Sequence, residues 1–182
     1  MSAAFGRKPW LFWLGVLALL ALALAFVVGG ALADEPPGFE QHYAPDEDLE
    51  RIDVALIGEA GETLDVAAYV LTDYAVIESL TEAAERGVRV RLYRWPEARG
   101  DERTAALLQR LAAAGAETRF KPADAPLMHL KTYCVDGRLL RFGAANFSHS
   151  GLTQQDNDLD VTRGPGACAK FEATFETMWS GK

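Results

Sequence analysis

The sequence predicts an α/β domain built on a mixed, largely parallel β-sheet flanked by helices and preceded by one N-terminal apolar helix. Two observations carry this: short apolar strand-like runs alternate with amphipathic helical stretches as far as residue 120, and the apolar period switches repeatedly between 3.6 and 2. A third is Asp136-Gly137 between the apolar runs Leu130–Val135 and Leu139–Phe142, a dipeptide that favours the positive φ angles of a tight hairpin.

Each element follows in order. Asp46 can cap a helix that aligns Leu49, Ile52 and Leu56, with Gly61 closing it. Leu64–Val70 reads as a strand, and Thr72 and Asp73 can cap a helix from Tyr74 to Arg86 that aligns Ile77, Leu80 and Ala84 and stops at Gly87. Val88, Val90 and Leu92 then alternate with Arg89, Arg91 and Tyr93, as in a strand with a solvated face. The alternative is a groove for a polyanion lined by Arg89, Arg91 and Arg94. After a Trp95-Pro96 turn come a helix with Leu107, Leu108 and Leu111, closed at Gly115, and a strand from Glu117 to Phe120. Beyond the hairpin, a polar stretch from Asn146 to Asp158 leads to a strand at Leu159–Thr162 and a final helix that aligns Phe171, Phe175 and Trp179 for packing.

The chain of 182 residues divides into three parts: residues 1–33, a signal peptide or N-terminal membrane anchor; 34–45, a linker and edge strand; and 46–182, the catalytic domain. Trp10–Ala33 holds no charged residue and follows Arg7 and Lys8. Ala31-Leu32-Ala33 resembles a signal-peptidase site, whereas Trp10, Phe12 and Trp13 suit the interfacial belt of a retained anchor, with membrane contact through residues 10–33. Both readings place the remainder outside the cytoplasm, either exported to a periplasmic or secreted location or held at the membrane. Residues 1–33 contain two basic side chains and no acid, so without them the formal charge of −8 becomes −10. That balance disfavours non-specific binding to nucleic acid or anionic lipid. An oxidising compartment would permit a bridge between Cys134 and Cys168, but two separate buried thiols are the commoner reading, because free cysteine behaves as a small hydrophobe.

The chemistry is concentrated after residue 128. His129 and Lys131 sit one residue apart at the start of a strand and so share a face. The hairpin carries the chain through Asp136 and back to Gly143-Ala144-Ala145-Asn146, near that pair, with Ser148 two residues on. Cleaving a phosphodiester without a metal or other cofactor takes a nucleophile, donors for the non-bridging oxygens and an acid for the leaving oxygen. His129 can attack, Lys131 and Asn146 can stabilise charge on oxygen, and a second histidine is missing. His42 and His149 do not supply it by position.

The pattern His129-x-Lys131-(four residues)-Asp136-(six residues)-Gly143-x-x-Asn146 resembles the signature of the phospholipase D superfamily. The resemblance implies a phospholipase D-like fold, a phosphohistidine on His129, a supporting role for Asp136, and Lys131 and Asn146, with Ser148 nearby, as phosphate ligands. Most members carry two copies of the motif and this chain carries one, like the small single-motif members that include secreted bacterial endonucleases. The resemblance then implies a homodimer in which two motifs complete one site, acting on phospholipid or nucleic acid. Two departures stand out. Ala144 occupies a position where the family usually has serine or glycine, and Asn157 occupies the position of a glutamate that orients the histidine, leaving Asp158 or Asp156 as substitutes. Phosphatidyl transfer to an alcohol, and a non-catalytic module that binds phosphate, are the competing readings.

Overall fold

The computed structural model describes residues 38–96, 100–122 and 124–181. The expected N-terminal apolar helix lies outside them. No helix among the described residues is long and apolar enough to cross a membrane.

Seven strands, β1 (Gly38–Ala44), β2 (Thr63–Ala68), β3 (Arg89–Arg94), β4 (Glu117–Phe120), β5 (Lys131–Val135), β6 (Leu139–Phe142) and β7 (Asn157–Arg163), form one sheet in the order β1-β7-β6-β5-β2-β3-β4. Among the described residues, five helices complete the domain: α1 (Leu49–Gly58), α2 (Tyr74–Glu85), α3 (Glu102–Ala113), α4 (His149–Thr153) and α5 (Ala169–Ser180). The sheet is mixed as expected, but antiparallel pairings outnumber parallel ones. Only β2–β3 and β3–β4 are parallel. The reason lies in the connections: helical crossovers, which parallel neighbours require, end at β4, and the chain beyond it returns through a hairpin and short loops.

Helix starts follow side-chain capping. Asp48, rather than Asp46, accepts from Arg51 N to open α1, while Asp73 and Asp101 do the same for α2 and α3. Helix α1 stops at Gly58, before Gly61. The hairpin turn has positive φ at both Asp136 (50°) and Gly137 (68°), as the dipeptide foretold. α4 falls within the stretch read as merely polar.

Alternation along the central strands feeds two cores. Leu64, Val66, Val90, Leu92 and Tyr133 pack with Ile77, Leu80 and Leu111 of the helices α1–α3 side. Ala67, Tyr93, Trp95 and Cys134 pack with Phe171, Phe175 and Trp179 of α5. With both faces covered, the arginines of β3 cannot form a solvated face. Arg91 is 7% exposed, bound by Asp65 through two 2.7 Å contacts and by Glu176 at 2.6 Å, and it lies over the rings of Phe175 and Trp179. Of the three arginines, Arg89 alone is exposed.

The reading of two separate thiols is corrected. Cys134 and Cys168 form a disulfide, with Cα atoms 5.9 Å apart. Strand alternation turns Cys134 toward α5, and Cys168 is the residue at the start of that helix. A sequence separation of 34 residues hides this proximity.

Candidate active site

Lys131 pairs with Ala68, and Tyr69 N donates to Leu130 O at 2.8 Å, so β2 holds β5 extended up to the edge of the site. His129 precedes the strand on the face of Lys131, as its spacing requires. Its ring is exposed on one side and packs against Tyr69 on another, with centroids 4.4 Å apart. Lys131 is buried, at 6% exposure. Its Nζ lies 3.0 Å from His129 Nδ1, 2.8 Å from the His129 carbonyl oxygen and 5.0 Å from the Tyr69 ring centre. Burial, and then the positive charge of Arg141, lower the Lys131 pKa.

The Asn146 loop is brought to this pair by Arg141. The β5–β6 register places Arg141 opposite Tyr133, and the Arg141 Nη1 reaches both the Lys131 carbonyl at 2.8 Å and the Ala145 carbonyl at 3.5 Å. Its Nε and Nη2 donate to Asp53 at 2.9 and 3.0 Å, and the Tyr133 hydroxyl donates to the same carboxylate at 2.9 Å. Asp53 and Arg141 are both fully buried. Burial pushes the Asp53 carboxyl up while the guanidinium opposes it.

Gly143 opens the loop with φ of 148°, and a Cβ there would meet the Asp158 carbonyl oxygen at 2.5 Å. Ala144 N donates to Asp158 Oδ1 at 3.0 Å, and Ala145 N donates to the Asp158 carbonyl at 3.3 Å. Asn146 then places its amide with Oδ1 buried and without a partner among the described residues.

The remaining expected residues sit in supporting places. Asp136 is at the far end of β5 from His129, about 17 Å along the strand from Lys131. Its carboxylate accepts from Gly61 N, Glu62 N and Thr63 N at 2.7–2.9 Å, so it shapes the α1–β2 connection rather than touching the reacting groups. Burial raises its pKa, and the three backbone donors more than offset that, leaving it lowered. Ser148 caps α4, its Oγ accepting from Gly151 N at 3.2 Å. Asn157 donates to Gly151 O at 2.8 Å, and Asp158 holds the Gly143 loop. Among the described residues no carboxylate hydrogen-bonds His129; the Tyr69 ring and the Lys131 ammonium are what position it.

Sequence reasoning missed Tyr69, Asp53 and Arg141. Asp53 did leave a trace, since it shares a helical face with Leu49 and Leu56, and an acid on an apolar stripe needs a buried partner. For Tyr69 no such signal existed.

Among the described residues, two groups of side chains bring metal-type ligand atoms within 4.8 Å of one another. One is Glu50, Asp73 and His149, lining a cavity of about 860 Å³ with Ser148. The other is Cys134, Cys168 and Glu172, whose sulfurs are already bonded to each other.

With this geometry in hand, similarity to known proteins has a definite meaning. Residues 54–179 match the family described as the cardiolipin synthase PLD-like domain. The chain belongs to the phospholipase D superfamily. A mitochondrial cardiolipin hydrolase from Chlamydomonas reinhardtii is 27% identical to this phospholipase D-like chain over 126 residues, which is 68% of this chain and 54% of the relative. The chain thus spans about half the length of that curated relative. Among solved structures, the phospholipase D family member Nuc from Salmonella typhimurium aligns with TM-score 0.72 and 21% identity, over 79% of this chain and 95% of that one. NucT from Helicobacter pylori aligns with TM-score 0.71 and 17% identity, over 79% and 96%. Both likenesses establish the phospholipase D-like fold.

Proposed function

We propose that this phospholipase D-like domain is a metal-independent hydrolase that cleaves a phospholipid or nucleic-acid phosphodiester through a phosphohistidine on His129. The observation that carries the reading is an exposed imidazole in contact with the buried Lys131 ammonium. The relative named as a cardiolipin hydrolase supports a phosphodiester substrate.

In the reaction, a His129 ring nitrogen attacks phosphorus and the bond to the leaving oxygen breaks. Lys131 and Asn146 donate to the non-bridging oxygens, where charge grows. The leaving oxygen takes a proton from an acid that this chain's motif lacks, and His129 of the partner subunit of a homodimer supplies it. Water then attacks the phosphohistidine, giving its proton to the partner's His129 as the phosphorus–nitrogen bond breaks. The domain works outside the cytoplasm, exported or held at a membrane by residues 10–33.

The test uses the full-length chain in detergent and EDTA with single-stranded DNA, RNA and phospholipids. Turnover and an acid-labile phosphoryl adduct on His129 are expected, and both vanish in His129→Asn. Full activity of that variant, or complete dependence on added metal, removes the reading. Mixing wild-type chain with excess His129→Asn chain lowers activity beyond simple dilution; a strictly proportional fall removes the shared site.

A further inference from the structure

Four cations are buried among the described residues: Arg91, Arg94, Lys131 and Arg141, none more than 7% exposed. The fold neutralises two of them, Arg91 with Asp65 and Glu176, and Arg141 with Asp53. For Arg94 and Lys131 no carboxylate lies within ion-pair distance among the described residues. Both stand in one row of the sheet. Lys131 pairs with Ala68, Ala68 with Arg94, and Arg94 with Phe120. Paired residues project from the same face, so Lys131 and Arg94 flank the small Ala68 with their backbones two strand spacings, about 10 Å, apart.

Arg94 is under-satisfied as well as unpaired. Its Nε is buried without a partner among the described residues, and its Nη2 reaches only the Leu71 carbonyl at 3.4 Å. Burial lowers its pKa, as expected of a cation without a counter-charge. A buried, unpaired guanidinium is costly unless an anion completes it. Arg94 also lines a cavity of about 420 Å³, within the range of small-ligand sites, with Trp95, Pro96, Leu108 and Phe120 as apolar walls and Asp101 as the one carboxylate on its lining among the described residues.

We propose that Arg94 is a specificity-determining residue that binds a second phosphate of a lipid substrate while Lys131 and Asn146 hold the phosphate under attack. This rests on the phosphodiesterase reading above and deepens it. A lipid with two phosphates joined by a short polyol matches two cations in one row, and its apolar part matches the walls beside Arg94. A polynucleotide fits less well. The neighbouring 860 Å³ cavity, which shares Gly100, Asp101 and Thr104 with the Arg94 cavity, is lined by Glu50, Asp73, Glu78 and Asp101. An extended polyanion leaving the site along that side meets carboxylates.

Binding to the full-length His129→Asn chain in detergent tests this without turnover. The ligands are bis(glycerophospho)glycerol, which carries two phosphodiesters, glycerophosphoglycerol, which carries one, and a single-stranded oligonucleotide. Calorimetry is expected to show about tenfold or greater preference for the two-phosphate headgroup, lost on adding Arg94→Met and largely kept with Arg94→Lys. Arg94→Met also holds or raises the Tm, since it removes an unpaired buried charge. The proposal is overturned where the preference survives Arg94→Met, where the variant weakens both headgroups equally, or where its Tm falls by several degrees, which marks a structural arginine. Loss of oligonucleotide binding alone in Arg94→Met also overturns it, in favour of a nucleic-acid site. An Arg94-dependent preference in a chain whose wild type never cleaves a phosphodiester removes the hydrolase reading and leaves the subsite standing.

Discussion

Arg141 Nη1 donates to the Lys131 carbonyl oxygen over 2.8 Å, while the same guanidinium grips Asp53 at 2.9 and 3.0 Å. One buried ion pair therefore ties α1, β5 and the loop that presents Asn146. Removing either partner leaves an uncompensated buried charge, which costs about 3–5 kcal/mol. Asp53→Ala and Arg141→Ala are each expected to lose that much stability in urea titrations. The Asp53→Leu/Arg141→Met double variant is expected to lose less than the two single losses added together, because no orphan charge remains.

Asp136 separates support from chemistry. Asp136→Ala strips the acceptor from three backbone N–H groups and is expected to cost about 2 kcal/mol, with His129 phosphorylation retained in the folded fraction. The Asp136 pKa is lowered in the fold, so its contribution is present above the unfolded value and lost as pH falls through the folded one. Thermal melts below pH 4 therefore show a smaller acid loss in Asp136→Asn than in wild type. A variant that folds normally but forms no adduct contradicts this assignment.

Gly143 is required by two independent facts, a φ of 148° and the Asp158 carbonyl 2.5 Å from where a Cβ would stand. Gly143→Ala is expected to cost on the order of 1–3 kcal/mol in strain and to displace Asn146 from the site. A fall in turnover larger than the fall in folded fraction, measured on the same sample, checks it.

Asp73 caps α2 through Val76 N at 3.0 Å, and its pKa is pushed up to about 6 by burial and then by Glu50, with His149 opposing. A raised acid favours the protonated form in the fold, so its contribution is complete below its ordinary value of 3.8 and is lost as pH rises through about 6. Asp73→Asn keeps a capping oxygen without the titration. Its Tm is expected to vary less than that of wild type between pH 4 and 6, and an unchanged slope would assign the titration elsewhere.

The sequence by itself determined the order of elements apart from α4, because hydrophobic period, capping aspartates and the Asp136-Gly137 turn are local signals read within one or two turns of chain. It also brought out the candidate pair, since strand alternation alone puts His129 and Lys131 on one face. Tertiary structure decided everything that depends on which strands become neighbours. It made the sheet predominantly antiparallel, joined Cys134 to Cys168 and buried Arg91 under α5 with two carboxylates. It also set the Asp136 carboxylate against the backbone N–H groups of Gly61, Glu62 and Thr63, and the Tyr69 ring against His129. Above all it placed Arg94 in the row of Lys131 with no counter-charge among the described residues. These outcomes rest on pairings across many residues, where burial and desolvation of charge, rather than local propensity, select the partner.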